Sequence, residues 1–175
     1  MPSKAEELQK HIRSIADWPK KGILFRDITP LLAEPGAFAD AVDALCLDFE
    51  ERSVDYVASV EARGFIFGAA VAKKLGAGFV PIRKKGKLPF KTESITYDLE
   101  YGTDTLEVHS DAIDRAARVL MVDDLLATGG TMAAACKLIE KIGGQIAAIV
   151  FLIELGELAG RKKLAGYKIH TCLTY

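Results

Sequence analysis

The stretch "VDDLLATGGT" sets two adjacent carboxylates, Asp123 and Asp124, ahead of Thr128-Gly129-Gly130-Thr131 with three residues between. Threonine hydroxyls and successive backbone N–H groups at the head of a helix make a receptor for a phosphate monoester, because the helix dipole adds to the hydrogen-bond donors. Gly129 and Gly130 let the backbone approach closely and take positive φ. Carboxylates repel a phosphate, so the two acids need a different partner. A ribose supplies one: its neighbouring 2- and 3-hydroxyls can donate to Asp123 and Asp124 while its 5-phosphate rests in the loop. The spacing predicts a ribose 5-phosphate site made of Asp123, Asp124, Ala127, Thr128, Gly129, Gly130 and Thr131. An acid pair alone would be a solvated turn, and a Gly-Gly-Thr alone a plain loop; their combination between a buried strand and a helix is what carries the reading. No G-x-G-x-x-G dinucleotide fingerprint is present, and Thr131 rather than lysine follows Gly130, which disfavours a nucleoside triphosphate loop.

The surrounding elements must place this loop. "RVLMVDD", "TMAAACKLIEKIGG" and "QIAAIVFLIE" read as strand, helix and strand, and the near-continuous apolar strands suit a parallel sheet buried on both faces. "VDYVASV", "GFIFGAAVAKKLG" and "AGFVPI" form a second such unit, its helix ending at Gly76. The fold class expected is α/β, an open, mainly parallel twisted sheet with helices on both faces. Asp123 and Asp124 then fall at a strand's carboxyl end, where open sheets bind ligands. Residues 4–15, with Leu8, Ile12 and Ile15 in helical spacing after a Ser3 cap, predict an amphipathic helix that ends near Trp18-Pro19. Residues 37–51 predict another, with Phe38, Ala41, Val42, Leu45 and Phe49 on one face behind a Pro35-Gly36 turn. Between them "KKGILFRDITPLL" shows no clean period. Residues 83–113 break the α/β rhythm with a basic Gly- and Pro-containing loop and two alternating stretches that suit a hairpin. An insertion of that kind in a compact domain is usually functional.

The chain has 175 residues, half of them apolar, enough for one well-packed domain. Its formal net charge of -1 excludes a global basic field for nucleic acid, so any anion site is local. Cys46, Cys136 and Cys172 are widely spaced and odd in number, which excludes a disulfide framework and a zinc site. No signal-like or membrane-spanning apolar run occurs, and a cytoplasmic protein is expected. His11, His109 and His170 lie outside the motifs, and no direct protein metal ligand is expected.

"VLMVDDLLATGGT" resembles the ribose-phosphate signature of the type I phosphoribosyltransferases. "GILFRDITPLL", "EARGFIFG", "IRKKGKLP" and "LEYG" resemble, in order, further motifs of the family's adenine-using members, and together they cover nearly the whole chain. The resemblance implies the type I phosphoribosyltransferase fold with a small hood and a flexible lid loop, a single domain over 1–175, with 1–35 as N-terminal helix and base-binding hood segment and 83–101 as lid loop and hairpin. It implies a purine-salvage transfer from 5-phosphoribosyl-1-pyrophosphate to adenine, giving AMP and pyrophosphate, with Mg²⁺ held mainly by substrate and water near Asp123 and Asp124. A homodimer is also implied.

Carried over residue by residue, the resemblance directs Arg63, Gly64, Arg83, Lys84 and Lys87 at pyrophosphate, with Lys85 in the same basic run. Phe25 would stack on adenine, the Leu24 backbone would read its 6-amino edge, Arg26 would approach the ring's other side, and Leu155 would close the opposite face. Glu100 would act as general base or hydrogen-bond acceptor when N9 attacks, with Tyr101 steadying the lid. Glu100, Asp123, Asp124 and Arg63 are the catalytic candidates. Two other functions compete. A phosphoribosyltransferase for hypoxanthine, guanine or xanthine would want a hydrogen-bond donor facing a 6-oxo group, where this chain offers apolar Leu155. A regulator keeping the pocket but binding nucleic acid would need a recognition domain or a basic face, and neither is evident.

Overall fold

The computed structural model describes residues 4–51, 53–99 and 102–175. By internal contacts they divide into two compact units, Met1–Ala44 and Leu45–Tyr175.

The first unit begins with helix α1 (Lys4–Lys10) and continues through strands β1 (Arg13–Ala16) and β2 (Leu24–Asp27) to helix α2 (Thr29–Ala33) and helix α3 (Pro35–Leu45), whose last residue belongs to the second unit. The single helix expected over 4–15 is therefore corrected. Backbone N–H groups of His11 and Ile12 bond three residues back, to Leu8 and Gln9, which closes the helix. The next four residues pair antiparallel with β2, Arg13 opposite Asp27 and Ile15 opposite Phe25. Apolar residues at helical spacing thus served two different elements. The helix expected over 37–51 begins earlier and ends at Leu45; Pro35 opens it, as proline does in a first turn, so Pro35-Gly36 is no separate turn. Ser3, the expected cap, lies outside the described residues.

Asp27 ties this unit together. Its carboxylate accepts from the Thr29 backbone N–H (2.9 Å), the Thr29 hydroxyl (2.8 Å) and the Arg13 guanidinium (2.6 Å). The Thr29 amide, then Arg13 and the Thr29 hydroxyl, hold its pKa down at about 2, against an ordinary value of 3.8.

In the second unit the described residues form one seven-stranded sheet, built from β3 (Tyr56–Val60), β4 (Gly78–Lys84), β5 (Thr92–Asp98), β6 (Thr103–His109), β7 (Arg118–Leu126), β8 (Gln145–Glu154) and β9 (Ile169–Thr174). Its order is β5-β6-β4-β3-β7-β8-β9. The five strands from β4 to β9 are parallel, and the expected hairpin β5-β6 adds antiparallel to β4. Helix α4 (Arg63–Leu75) links β3 to β4, and helix α5 (Gly130–Lys141) links β7 to β8. Alternation along the strands divides the core. Ala58, Val60, Val119 and Met121 pack with Ala135, Leu138 and Ile139 of α5. Ser59 and Phe79 face the other way, so close to α4 that a Cβ on Gly68 would overlap the Ser59 side chain. Helices therefore cover both faces, as the sequence predicts. Gly76 ends α4 at φ +66°.

Two short 3-10 turns, Gly156–Leu158 and Gly160–Leu164, and β9 follow β8; none of the three has a sequence-based expectation. Glu154, buried at the end of β8, holds Arg161 through Nε (2.8 Å) and Nη2 (2.8 Å), and Arg161 also donates to Thr171. That pairing with Arg161 draws the Glu154 pKa down.

Replacing Asp27 with Asn should destabilise the first unit by about 1–2 kcal/mol at pH 7, the range for charge-assisted hydrogen bonds in a partly buried setting. Because the folded-state pKa is depressed, the stabilisation is present above about pH 4 and fades as pH falls through about 2. Urea unfolding followed by Trp18 fluorescence at pH 7 and pH 2 measures it; Trp18 is the sole tryptophan and stacks edge-on against Phe25.

Candidate active site

β3 and β7 are neighbours, yet their connections diverge: β3 leads through α4 to β4 on one side, and β7 through α5 to β8 on the other. Such a reversal opens a crevice at the strands' carboxyl ends. There the structure has a cleft of about 360 Å³ lined by residues 60–64, residues 123–132 and Phe151. Arg63, Gly64, Asp123, Asp124, Ala127, Thr128, Gly129, Gly130 and Thr131 all border it. Both α4 and α5 start at its rim, so two helix N-termini direct their positive ends toward one space.

Asp124 is buried, and Arg63, the first residue of α4, reaches its Oδ2 through Nε at 2.9 Å. Asp123 accepts the Asp124 backbone N–H at 2.9 Å. Burial, and next the neighbouring Asp124 carboxylate, push the Asp123 pKa well above the ordinary carboxylate range. The pair is thus asymmetric: one carboxyl is salt-bridged and the other is driven toward its protonated form. Gly64 makes room for it, since a Cβ there would stand 2.8 Å from Asp123 Oδ1.

Gly129 is left-handed at φ +79°, and a Cβ on it would lie 2.4 Å from the Gly160 carbonyl oxygen. A Cβ on Gly160 would in turn collide with the Ala127 carbonyl. Two glycines let the loop and the 3-10 segment meet backbone to backbone. Leu164, fully buried, anchors that segment, which carries Lys163 to within 3.7 Å of the Cβ direction of Gly130.

The basic stretch sits elsewhere in the second unit, at the end of β4 and the turn after it. Arg83 pairs with Glu61 through Nε (3.2 Å), the Lys84 backbone N–H donates to the same carboxylate (2.8 Å), and Lys84 Nζ meets Asp104 at 3.2 Å. Arg83 also donates to the Lys87 carbonyl at 3.3 Å. Burial alone would raise the Glu61 pKa, but the Lys84 amide and the Arg83 guanidinium outweigh it and hold it low. Arg83, Lys84 and Lys87 do not line the cleft; Glu61, which does, connects them to it. Leu155 follows β8, half-buried, with its N–H on the Leu126 carbonyl. Leu24, Phe25 and Arg26 form most of β2 in the first unit: Leu24 is exposed, Phe25 packs on Trp18 with ring centroids 4.4 Å apart, and Arg26 donates to Ser14. Glu100 and Tyr101 lie outside the described residues.

Sequence reasoning missed Glu61 and Lys163. Glu61 had a signal, since it directly follows a buried strand beside the divergence of the connections. Lys163 had none, because nothing local in "GRKKL" ties it to a loop thirty residues earlier.

The phosphoribosyl transferase domain family matches residues 32–172, and the chain belongs to the phosphoribosyltransferase family. The adenine phosphoribosyltransferase of Desulfitobacterium hafniense is 56% identical over 172 residues, covering 98% of this chain and 99% of that one. A crystal structure of adenine phosphoribosyltransferase from Thermoanaerobacter pseudethanolicus superimposes with a TM-score of 0.94 at 53% identity, covering 98% and 99% of the two chains. The Saccharomyces cerevisiae enzyme, complexed with an imino-altritol bisphosphate and adenine, gives 0.92 at 40% identity, covering 99% and 100%. Within the family, then, these full-length relatives are adenine phosphoribosyltransferases.

The asymmetry of the acid pair has a measurable sign. A carboxyl with a raised folded-state pKa favours the fold at low pH, and stability falls as pH rises from the unfolded value toward the folded one. Asp123→Asn keeps an oxygen for the Asp124 amide and escapes that loss. Its melting temperature relative to the parent chain should therefore rise as pH is taken from 4 to 8; a difference that stays constant across the range contradicts the assignment.

Proposed function

We infer that this chain transfers the phosphoribosyl group of 5-phosphoribosyl-1-pyrophosphate to adenine, releasing pyrophosphate and forming AMP. The observation that carries the reading is the acid pair and the glycine-threonine helix start facing one cleft at the divergence of β3 and β7. Full-length identity above 50% to an adenine phosphoribosyltransferase supports the choice of base.

In this reading the 5-phosphate takes its hydrogen bonds from the amides of residues 127–131 and from the Thr128 and Thr131 hydroxyls. Asp123 and Asp124 orient the 2- and 3-hydroxyls below the carbon that loses pyrophosphate and stand near the positive charge that develops there. Asp123 and the salt-bridged Asp124 both turn carboxyl oxygens to the sugar hydroxyls, which donate to them. Arg63 and the Gly64 amide face the departing pyrophosphate, with Arg83, Lys84 and Lys87 as further cations for it. Glu61 pairs with Arg83 at the strand end.

Among the described residues, no group of three or more His, Cys, Asp or Glu could hold a metal ion. The donor set suits Mg²⁺ carried mainly by substrate oxygens and water, with Asp123 and Asp124 beside it. Bound there, the ion offsets negative charge on the leaving pyrophosphate. We assign adenine to Leu24, Phe25, Arg26 and Leu155, the N9 proton to Glu100, and loop support to Tyr101, on the family resemblance of "LFRD", "FLIELGE" and "LEYG".

We further propose a single catalytic domain over 1–175, with 1–35 as the base-binding segment and 83–101 as a lid loop and hairpin, working as a homodimer in the cytoplasm. The exposed apolar side chains Leu47, Ile66 and Phe90 suit a subunit interface. No helix among the described residues is long and apolar enough to cross a membrane. A net charge of -1 speaks against nucleic acid as a partner.

Incubation with 5-phosphoribosyl-1-pyrophosphate, Mg²⁺ and each nucleobase in turn should yield AMP from adenine, with IMP and GMP formed far more slowly; faster IMP or GMP synthesis overturns the assignment. Asp123→Asn combined with Asp124→Asn should fold and lose turnover by about 10²–10³-fold, as expected when groups facing developing charge are neutralised. Phe25→Ala should raise KM for adenine while leaving KM for the phosphoribosyl donor unchanged, and Glu100→Gln should lower kcat with little effect on either KM.

A further inference from the structure

Tyr97 belongs to none of the roles assigned above, yet it touches the phosphate loop. It stands on β5, half-buried, with its ring packed against the core cluster that includes α5. Its Oη lies 3.2 Å from Oγ1 of Thr131, the second residue of α5. Tyr97 does not line the ligand cleft. It lines a separate cavity of about 400 Å³, and Gly130 borders both spaces, so Tyr97 approaches Thr131 from behind the loop.

A hydroxyl has one hydrogen to donate and two lone pairs to accept with. Between the two hydroxyls alone, either oxygen of the Tyr97–Thr131 contact can be the donor. An anion in the loop removes the choice, because Thr131 must turn its only hydrogen toward a phosphate oxygen. Tyr97 must then donate to Thr131. The resulting chain, Tyr97 O–H to Thr131 O–H to phosphate, fixes the threonine rotor and polarises its hydrogen, and linked hydrogen bonds strengthen one another where water is scarce.

We propose that Tyr97 is a positioning residue for the 5-phosphate, acting through the Thr131 hydroxyl. This rests on the reading that Thr131 binds that phosphate. Adenine carries no phosphate, so the effect is confined to the sugar-phosphate substrate. Phenylalanine keeps the ring and its packing and deletes only the donor.

The test compares Tyr97→Phe, Thr131→Val and the double variant, using the Kd of ribose 5-phosphate by calorimetry and steady-state KM and kcat for both substrates. Each single change should weaken ribose 5-phosphate by about 3–10-fold, the worth of one hydrogen bond, with KM for adenine unchanged; in Tyr97→Phe the loss should fall on KM for the phosphoribosyl donor more than on kcat. The double variant should bind no worse than Thr131→Val, since Tyr97 has nothing left to orient. Full additivity in the double variant, an unaltered Kd in Tyr97→Phe, or a parallel loss of adenine affinity would each overturn the proposal. If Thr131→Val itself leaves ribose 5-phosphate binding untouched, the phosphate-loop reading fails first and takes this one with it. If Thr131→Val weakens binding and Tyr97→Phe does not, only the Tyr97 role is lost.

Discussion

Consecutive residues at the end of a buried strand bring two carboxyl groups into one partly dry space, where burial and mutual repulsion oppose charge on both. The chain meets this constraint with the 2.9 Å contact between Arg63 and Asp124 and with the side-chain-free first turn of α4 at Gly64. Both depend on α4 starting within three residues of the end of β3, and on β3 lying beside β7. The order of the central strands, and with it the place of the cleft, sets what surrounds the acid pair. The second carboxyl keeps one protein donor, the Asp124 backbone N–H, and its remaining lone pairs match the vicinal hydroxyls of a sugar.

The same economy governs the opposite end of the cleft. In place of a basic side chain inside the loop, it uses amides, hydroxyls and the start of a helix, which bind an anion without adding a mobile charge. Arg63 borders the cleft, while Arg83 and Lys84 stand apart on the neighbouring strand end, engaged by Glu61 and Asp104. An amide-lined region and a cationic one, set apart in this way, are chemically suited to different anions, the first to a fixed phosphate and the second to one whose charge grows as it departs.

Much of the second unit was legible in its residues. β8 occupies the whole of "QIAAIVFLIE", and β7 extends the expected strand by only two residues, because strands buried on both faces must be apolar throughout. The loop of residues 127–131 at the head of α5 was readable because its residues are contiguous. Residues 4–15 misled, since Leu8, Ile12 and Ile15 fit a helical period while the cross-strand pairing of Arg13 with Asp27 decides the outcome. Tyr97 and Lys163 escaped for a related reason: each meets the loop of residues 127–131 across more than thirty residues of sequence. Asp27, quoted within a motif that resembles a base-binding one, turns out to hold its own turn together.

The mutual approach of Gly129 and Gly160 has a temporal side. Thirty-one positions separate the two residues, and the loop's backbone is seated on a carbonyl supplied by the later one. A chain growing from its amino end makes the acid pair and the helix start well before it makes that seat. The loop's packing against the backbone at Gly160 is therefore available only after residue 160 has emerged, later than the acid pair and the helix start.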